Sequence, residues 1–332
     1  MMRLLESKKI HLFLCIVFSV VGLAWIISSH PMFPVSAMYG IQLPFRFPVL
    51  GLIVAGWLLY FNRKWLSIAW LVLVVPVIFC FNVHMLRPDL YFLWLCLLAV
   101  SIGKNKEQVY ASFLLILGGM YLWTSIQKMH IDFVLVMANV FDRRIIPSSF
   151  PDITSRLMAA LVPVIELGLA ILCFTRFIKI RKILAAILHG GIVYFLIVGG
   201  WNSTMVAWNI ALVLFHFMLP AFKYPTRGIQ MWQVVPALSI IFPVLYFIGY
   251  WPVFASWAMY SSRLEHYRLV LDEQTALHPP EYIRDFVYIK DGEYMITITT
   301  WADAELGGAP CMEPILKEKV LQDCRTFIKN HP

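Results

Sequence analysis

The sequence predicts an all-α polytopic membrane bundle of about nine transmembrane helices, followed by a small C-terminal α+β domain outside the membrane. Three observations carry this. Of 332 residues, 60% are hydrophobic and only 14% charged, where soluble domains average about a quarter charged. Apolar runs recur at 10–28, 47–61, 66–83, 89–103, 108–127, 157–175, 183–199, 204–221 and 231–251. A span takes about 20 apolar residues and about 17 at the low end, so the runs at 47–61 and 89–103 are short for the task. Finally, the texture changes after Trp251, where alternating and polar residues replace the apolar runs. The division is therefore 1–252 for the membrane part and 253–332 for the outer domain.

Taken in order, run 10–28 is too long, and too poor in small residues at its end, for a cleavable signal peptide. It reads as a retained helix. Segment 29–46 is a Pro-punctuated loop. Segment 129–156 is longer, and its first part, with Ile131, Phe133, Val134, Val136, Met137 and Phe141, has too few apolar residues to span. It reads as an interfacial or re-entrant helix. Pro147 and Pro151 break it, and Asp152 or Thr154 is the expected cap of the next helix. In the C-terminal part, FVYIKDGEYMITITTW sets Asp291-Gly292 between β-branched and aromatic runs, which predicts a hairpin. Tyr267–Leu271 is a further strand candidate, and residues 311–330 read as a helix. A domain of this size is marginal alone and is expected to dock on the membrane part.

The net charge of +8 does not imply nucleic acid, because it is unevenly spread. Residues 1–252 hold 19 Lys+Arg against 7 Asp+Glu, and residues 253–332 hold 8 against 12. The basic excess lies in alternate short loops (Lys8 and Lys9, Arg63 and Lys64, Lys104 and Lys106, Arg176 to Lys182, Lys223 and Arg227). By the positive-inside rule this places the N-terminus in the cytoplasm, and an odd number of spans puts the C-terminal domain outside. The compact chain suggests a bacterial inner membrane, with membrane lipids as its surroundings. Cys15, Cys80, Cys96 and Cys173 lie in apolar runs and read as small buried hydrophobes. Cys311 and Cys324 would be about 20 Å apart on one helix, too far for a disulfide unless the chain turns near Pro314. The sequence contains no metal-binding motif.

Polar residues inside the apolar runs mark the candidate site. Glu166, His189, Trp208 and Asn209 lie within spans, with Gln127, Lys128, Trp201 and Asn202 at span ends. Such groups are costly in hydrocarbon and face a protein interior or a wet cavity. On the predicted topology Glu166 and His189 lie at a common depth of roughly 13–15 Å on antiparallel neighbours, while His216 lies deeper and reads as separate. The pocket chemistry is proton transfer, with Lys128 as base, Glu166 as relay, and His189, Asn202 and Asn209 orienting a substrate. Plainer alternatives remain open. Lys128 also reads as a snorkelling anchor, Glu166 as an interhelical hydrogen-bond partner, His189 as a packing residue beside Gly190 and Gly191, and both tryptophans as interfacial belt residues.

The stretch YLWTSIQKMHIDFV, residues 121–134, resembles the lysine-bearing segment of the HTTM family, the membrane part of vitamin K-dependent γ-glutamyl carboxylase. PVIELGLAILCF, residues 163–174, is similar to that family's helix with a central acidic residue, and the likeness extends over about 108–221. The same stretch is also similar to DoxX- and MauE-type membrane proteins. The resemblance implies a membrane enzyme acting on a quinone or similar lipophilic substrate, with Lys128 at the position of the catalytic base. Gln127 stands where the carboxylase has a further lysine, and the carboxylase's large lumenal region has no counterpart here, which counts against peptide carboxylation. The DoxX/MauE likeness implies the alternative of a non-catalytic accessory protein for redox or maturation systems of the cell envelope, with a soluble extracytoplasmic partner. Transport is a third reading, against which the sequence shows no inverted repeat or paired broken helices, although Pro163 and the Gly190-Gly191 and Gly199-Gly200 pairs leave room for irregular backbone.

Overall fold

The computed structural model describes residues 12–13, 15–17, 19–20, 47–61, 63–80, 87–144, 146, 151–199, 203–223, 231–248, 250, 254–257, 267–306 and 316–331. The chain is mostly helical, with a small three-stranded sheet near its C-terminus. The helices are α1 (Phe47–Tyr60), α2 (Lys64–Ala69), α3 (Val75–Cys80), α4 (Pro88–Ile102), α5 (Lys106–Lys128), α6 (Ile131–Arg144), α7 (Asp152–Cys173), α8 (Ile178–Gly199), α9 (Ser203–Met218) and α10 (Val234–Ile240). Short 3₁₀ turns, Met231–Gln233 and Phe242–Ile248, flank α10.

Four described segments are long and apolar enough to cross a membrane: Lys106–Lys128, Ile153–Cys173, Ile178–Val198 and Met231–Ile248. The apolar stretches at Val49–Tyr60, Lys64–Val77, Pro88–Ile102 and Met205–Met218 are shorter. At 15 residues, α4 is about 22 Å long, below the roughly 30 Å of a hydrocarbon core, and it is enclosed by protein from Leu90 to Ser101. Of the long helices, Lys106–Lys128 is likewise mostly enclosed, whereas Ile153–Cys173 and Ile178–Val198 carry many apolar side chains outward. Ile180, Ile183, Ile187, Tyr194 and Ile197 recur every three to four residues on the exposed face of α8, while its Arg181 and His189 are buried. Apolar outside and polar inside is the pattern expected of lipid-facing helices.

Two proline positions show how the backbone adapts. Pro76 has no N–H, and just before it the helix widens into a π turn at Trp70–Val74, where the Val75 N–H reaches Trp70 O. In that wider register the carbonyl of Leu71 would need the missing N–H of Pro76. It accepts instead from the Trp94 indole N–H at 2.9 Å. Pro163 lies within α7 and Gly190-Gly191 within α8, and both helices run unbroken through them; α8 ends at Gly199, and Gly200 lies outside the described residues.

The central helix is α5. Asn105 caps it, its side chain accepting from the Gln108 N–H at 2.9 Å. Its middle is pinched between two neighbours. A Cβ at Gly118 would come within 2.6 Å of the Phe174 ring, and one at Gly119 within 2.7 Å of Ser239 O. Only glycine lets α7 and α10 approach α5 from both sides.

The loop after α5 holds α6, a short helix whose Phe133, Ala138 and Phe141 are buried while Ile131, Leu135 and Val136 are exposed. The expected cap of α7 is corrected. Pro151 occupies the N-cap position without a side-chain bond, and Asp152 and Thr154 fall inside the first turn. Proline before the first helical residue fixes the extended entry that a capping side chain would otherwise favour.

The C-terminal region has its own core, built on Tyr267, Leu269, Ile283, Ile296, Trp301, Val320 and Cys324. Strands β1 (Arg268–Val270), β2 (Val287–Lys290) and β3 (Glu293–Thr297) pair antiparallel in the order β1-β3-β2. The predicted hairpin is present, with Asp291 and Gly292 at φ 54° and 83°, the left-handed pair that a tight two-residue turn requires. Past Thr297 the apolar run is helical rather than extended, forming a helix at Ile298–Leu306. Ile298, Trp301 and Ala302 are all buried at helical spacing, so packing overrides the β-branched composition. The last helix is Lys317–Asn330, and Cys324 is buried on it with a free thiol. Cys311 and Pro314 lie outside the described residues. Ala255 and Trp257 pack with the helical bundle rather than with the C-terminal core.

Candidate functional site

Helices α5 and α7 run antiparallel. Gly118 lies against Cys173 and Phe174, and Ser125 Oγ donates to Pro163 O at 2.8 Å. In that register Lys128 is level with roughly residue 160, and Glu166 lies about 9 Å further into the bundle. Lys128 nonetheless pairs with Glu166, its Nζ donating to Oε1. The amine is therefore drawn back along α5, the direction in which helical side chains lean. A snorkelling lysine would point the other way. The two side chains are 13% and 6% exposed.

The pair has spare hydrogen-bonding capacity. Gln127, adjacent to Lys128, is fully buried, and neither its amide oxygen nor its nitrogen has a partner among the described residues. The second carboxylate oxygen of Glu166 is likewise unpartnered. Orphaned buried polar atoms are rare because each costs about 1–3 kcal/mol. A groove of about 420 Å³ opens beside them, lined by Lys128, Met129, Ile131, Val134, Pro163 and Val164 among others. It lies within the range of small-molecule sites, about 300–1,000 Å³, and its walls are mostly apolar.

A second buried polar cluster joins α5, α8 and α9. Tyr121 Oη bonds His189 Nε2 at 2.6 Å and His216 Nε2 at 2.9 Å. His189 Nδ1 bonds Asn209 Oδ1 at 2.7 Å, and Asn209 Nδ2 donates to Met205 O at 2.7 Å. His216 is thus not separate from the other polar groups but joined to His189 through one hydroxyl. Arg181, buried at the start of α8, donates to Leu219 O and Pro220 O at 2.5 and 3.1 Å and so closes the C-terminal end of α9. Tyr121 and Lys128 are seven residues apart on α5, two turns along the same face.

The residues singled out in the sequence therefore divide. Lys128 and Glu166 meet directly, and Gln127, next to Lys128 in sequence, is buried. His189 and Asn209 meet each other in the second cluster. Trp208 is buried in the bundle core, edge-on to Phe92 at 5.1 Å. Trp201 and Asn202 lie outside the described residues. Tyr121 went unassigned from sequence, and Arg181, read there as a basic loop residue, is instead buried in the first turn of α8. Both lie on apolar helices facing a histidine-bearing neighbour, but a tyrosine in a membrane-type helix gives no signal of its own.

A further buried ion pair lies elsewhere in the bundle. Arg87 Nε and Nη2 donate to the two oxygens of Asp89 at 3.0 and 3.3 Å, and both side chains are 1% exposed. Among the described residues no group of three or more His, Cys, Asp or Glu is placed to hold a metal ion.

No family model, curated protein or solved structure matches this chain.

Proposed function

We propose that this chain is an integral membrane protein whose Lys128–Glu166 site takes a proton from a lipophilic, hydroxyl-bearing substrate of the quinol type. The observation that carries this reading is a lysine drawn inward to a buried carboxylate whose second oxygen is unpartnered among the described residues, at the edge of an apolar groove. The groove and its polar end fit such a molecule. Apolar walls take the ring or tail, and Lys128, which lines the groove, meets the hydroxyl.

The proton bookkeeping is simple. Glu166 takes one ammonium proton from Lys128, leaving a neutral amine beside a carboxylic acid. The amine then accepts the substrate hydroxyl proton, giving an oxyanion beside the restored ammonium. The restored Lys128 ammonium steadies the oxyanion. In this reading the shorter apolar helices join the four long ones in a bundle of about nine spans. The N-terminus is cytoplasmic, the C-terminal domain is outside, and the core is of HTTM type.

Native mass spectrometry with lipid extraction tests this on the detergent-purified protein. A quinone-like molecule should co-purify with wild type and be lost in Lys128→Met and Glu166→Gln. Absence of any small molecule from correctly folded wild type would move the assignment to the accessory-protein reading.

A further inference from the structure

The second polar cluster has a direction, and the direction leaves one end open. Asn209 Nδ2 faces the carbonyl of Met205, which only accepts, so the amide nitrogen must be on that side and Oδ1 must face His189. An amide oxygen also only accepts, so His189 Nδ1 carries the proton. Neither ring nitrogen of His189 faces a carboxylate, and the ring is neutral, so its Nε2 is a lone pair. Tyr121 must then donate its hydroxyl proton to His189. With that proton committed, Tyr121 oxygen is the acceptor toward His216, whose Nε2 is therefore the protonated nitrogen. All donors point one way, from His216 through Tyr121 and His189 to Asn209 and a helix carbonyl.

What remains is His216 Nδ1. In this tautomer it is an acceptor, it is buried, and it has no partner among the described residues. Arg181 lies alongside, because it binds the carbonyl of Leu219, one turn beyond His216 on α9. Its Nε and Nη1 are buried donors that are also without a partner among the described residues. An acceptor and a set of donors, all fully enclosed and all open, have complementary needs.

We infer that His216 Nδ1 and Arg181 form a second polar ligand site, distinct from the Lys128 groove, that takes a hydroxyl group. The ligand oxygen donates its proton to His216 Nδ1 and accepts from the guanidinium. An alcohol, a phenol or a bound water has this chemistry. A deprotonated anion does not, because it has no proton to give to Nδ1, and an ether or ketone fails for the same reason. The site does not depend on the reaction proposed at Lys128.

Nitrogen NMR of full-length protein labelled at histidine, in nanodiscs, reads the ring tautomers directly, with His189→Gln and His216→Asn variants assigning the signals. The expected result is His189 protonated on Nδ1, and His216 protonated on Nε2 with its Nδ1 hydrogen-bonded to an O–H proton. If that proton exchanges at the water frequency, the occupant is water. If it does not, and native mass spectrometry of the same sample shows a retained molecule, the occupant is an organic alcohol or phenol. Either supports the site. In Tyr121→Phe, His189 should keep its tautomer while His216 loses its fixed one. A His216 protonated on Nδ1, or an Nδ1 lone pair with no O–H neighbour, would overturn the inference. Arg181→Lys, which keeps a donor at the end of α9, should weaken the Nδ1 contact while leaving the His189 signal unchanged.

Discussion

Two ion pairs are buried in the same bundle, and they differ in almost every other respect. Arg87 and Asp89 are neighbours in sequence, meet through two parallel bonds, and sit where α4 begins. The Asp89 carboxylate also lies in the first turn of that helix, where negative charge is favoured. Lys128 and Glu166 come from two helices, meet through one bond, and stand beside an apolar groove with buried polar atoms left over. Local charges joined through two parallel bonds hold a helix start in place. Charges recruited from a distance and left partly unsatisfied are poorly explained by stability, because desolvating an ion pair offsets most of its attraction. The contrast separates an architectural pair from a candidate working one.

The largest effects should come from breaking either pair on one side only. Asp89→Ala or Lys128→Met strands a buried charge, and each is expected to lose about 3–5 kcal/mol of stability, read as a fall in the melting temperature of detergent-purified protein. Removing both partners should then split the pairs. Lys128→Met with Glu166→Leu is expected to recover the loss, or to exceed wild type by about 1–4 kcal/mol, while losing any bound ligand. Arg87→Met with Asp89→Leu should recover less, since it also removes the favourable first-turn carboxylate.

Next in size is the close packing that sets the register of the site. Gly119→Val drives a side chain into the Ser239 backbone, which has no flexible end to give way. A cost of about 1–3 kcal/mol is expected, again in the melting temperature. Trp94→Phe would leave the Leu71 carbonyl without its donor beside Pro76, for about 1–3 kcal/mol.

The smallest effect lies in the C-terminal domain. Asp272 caps the short helix Glu273–Leu277, accepting from the Thr275 N–H at 2.8 Å and the Thr275 hydroxyl at 3.0 Å. These bonds favour the ionised form and hold its pKa below the usual carboxylate value. The contribution is therefore fully present above about pH 4 and is lost as pH falls through the native value. The protection of the Thr275 amide against exchange, relative to the intrinsic rate at each pH, should fall in acid in wild type and be low at all pH values in Asp272→Ala.

Much of the fold was legible because it follows from local rules. The apolar runs mark helices, and the Asp291-Gly292 turn is present as read, since a tight hairpin needs two left-handed residues in a row. What escaped depends on contacts between distant parts of the chain. The run after Thr297 reads as a strand until one knows that Trp301 is buried at helical spacing. The cap of α7 was misassigned because proline and aspartate compete for the same signal. In the site, Lys128 and Glu166 stood out as charges in apolar sequence, while depth counting put Glu166 and His189 in one pocket, where the structure sets them in separate clusters. The same counting set His216 apart, because it measures depth along a span and not the reach of Tyr121 across three helices.

The most direct test of the central claim asks where the Lys128 amine points. Folded protein in nanodiscs would be treated with paired amine-acylating reagents, one lipophilic and one water-soluble, and modification mapped by peptide mass spectrometry. The account predicts that Lys128 is acylated by the lipophilic reagent through the apolar groove and protected from the soluble one, with Glu166→Gln abolishing the difference. Modification of Lys128 by the soluble reagent as readily as the exposed lysines of the C-terminal domain would contradict it and return Lys128 to the role of a membrane-surface anchor.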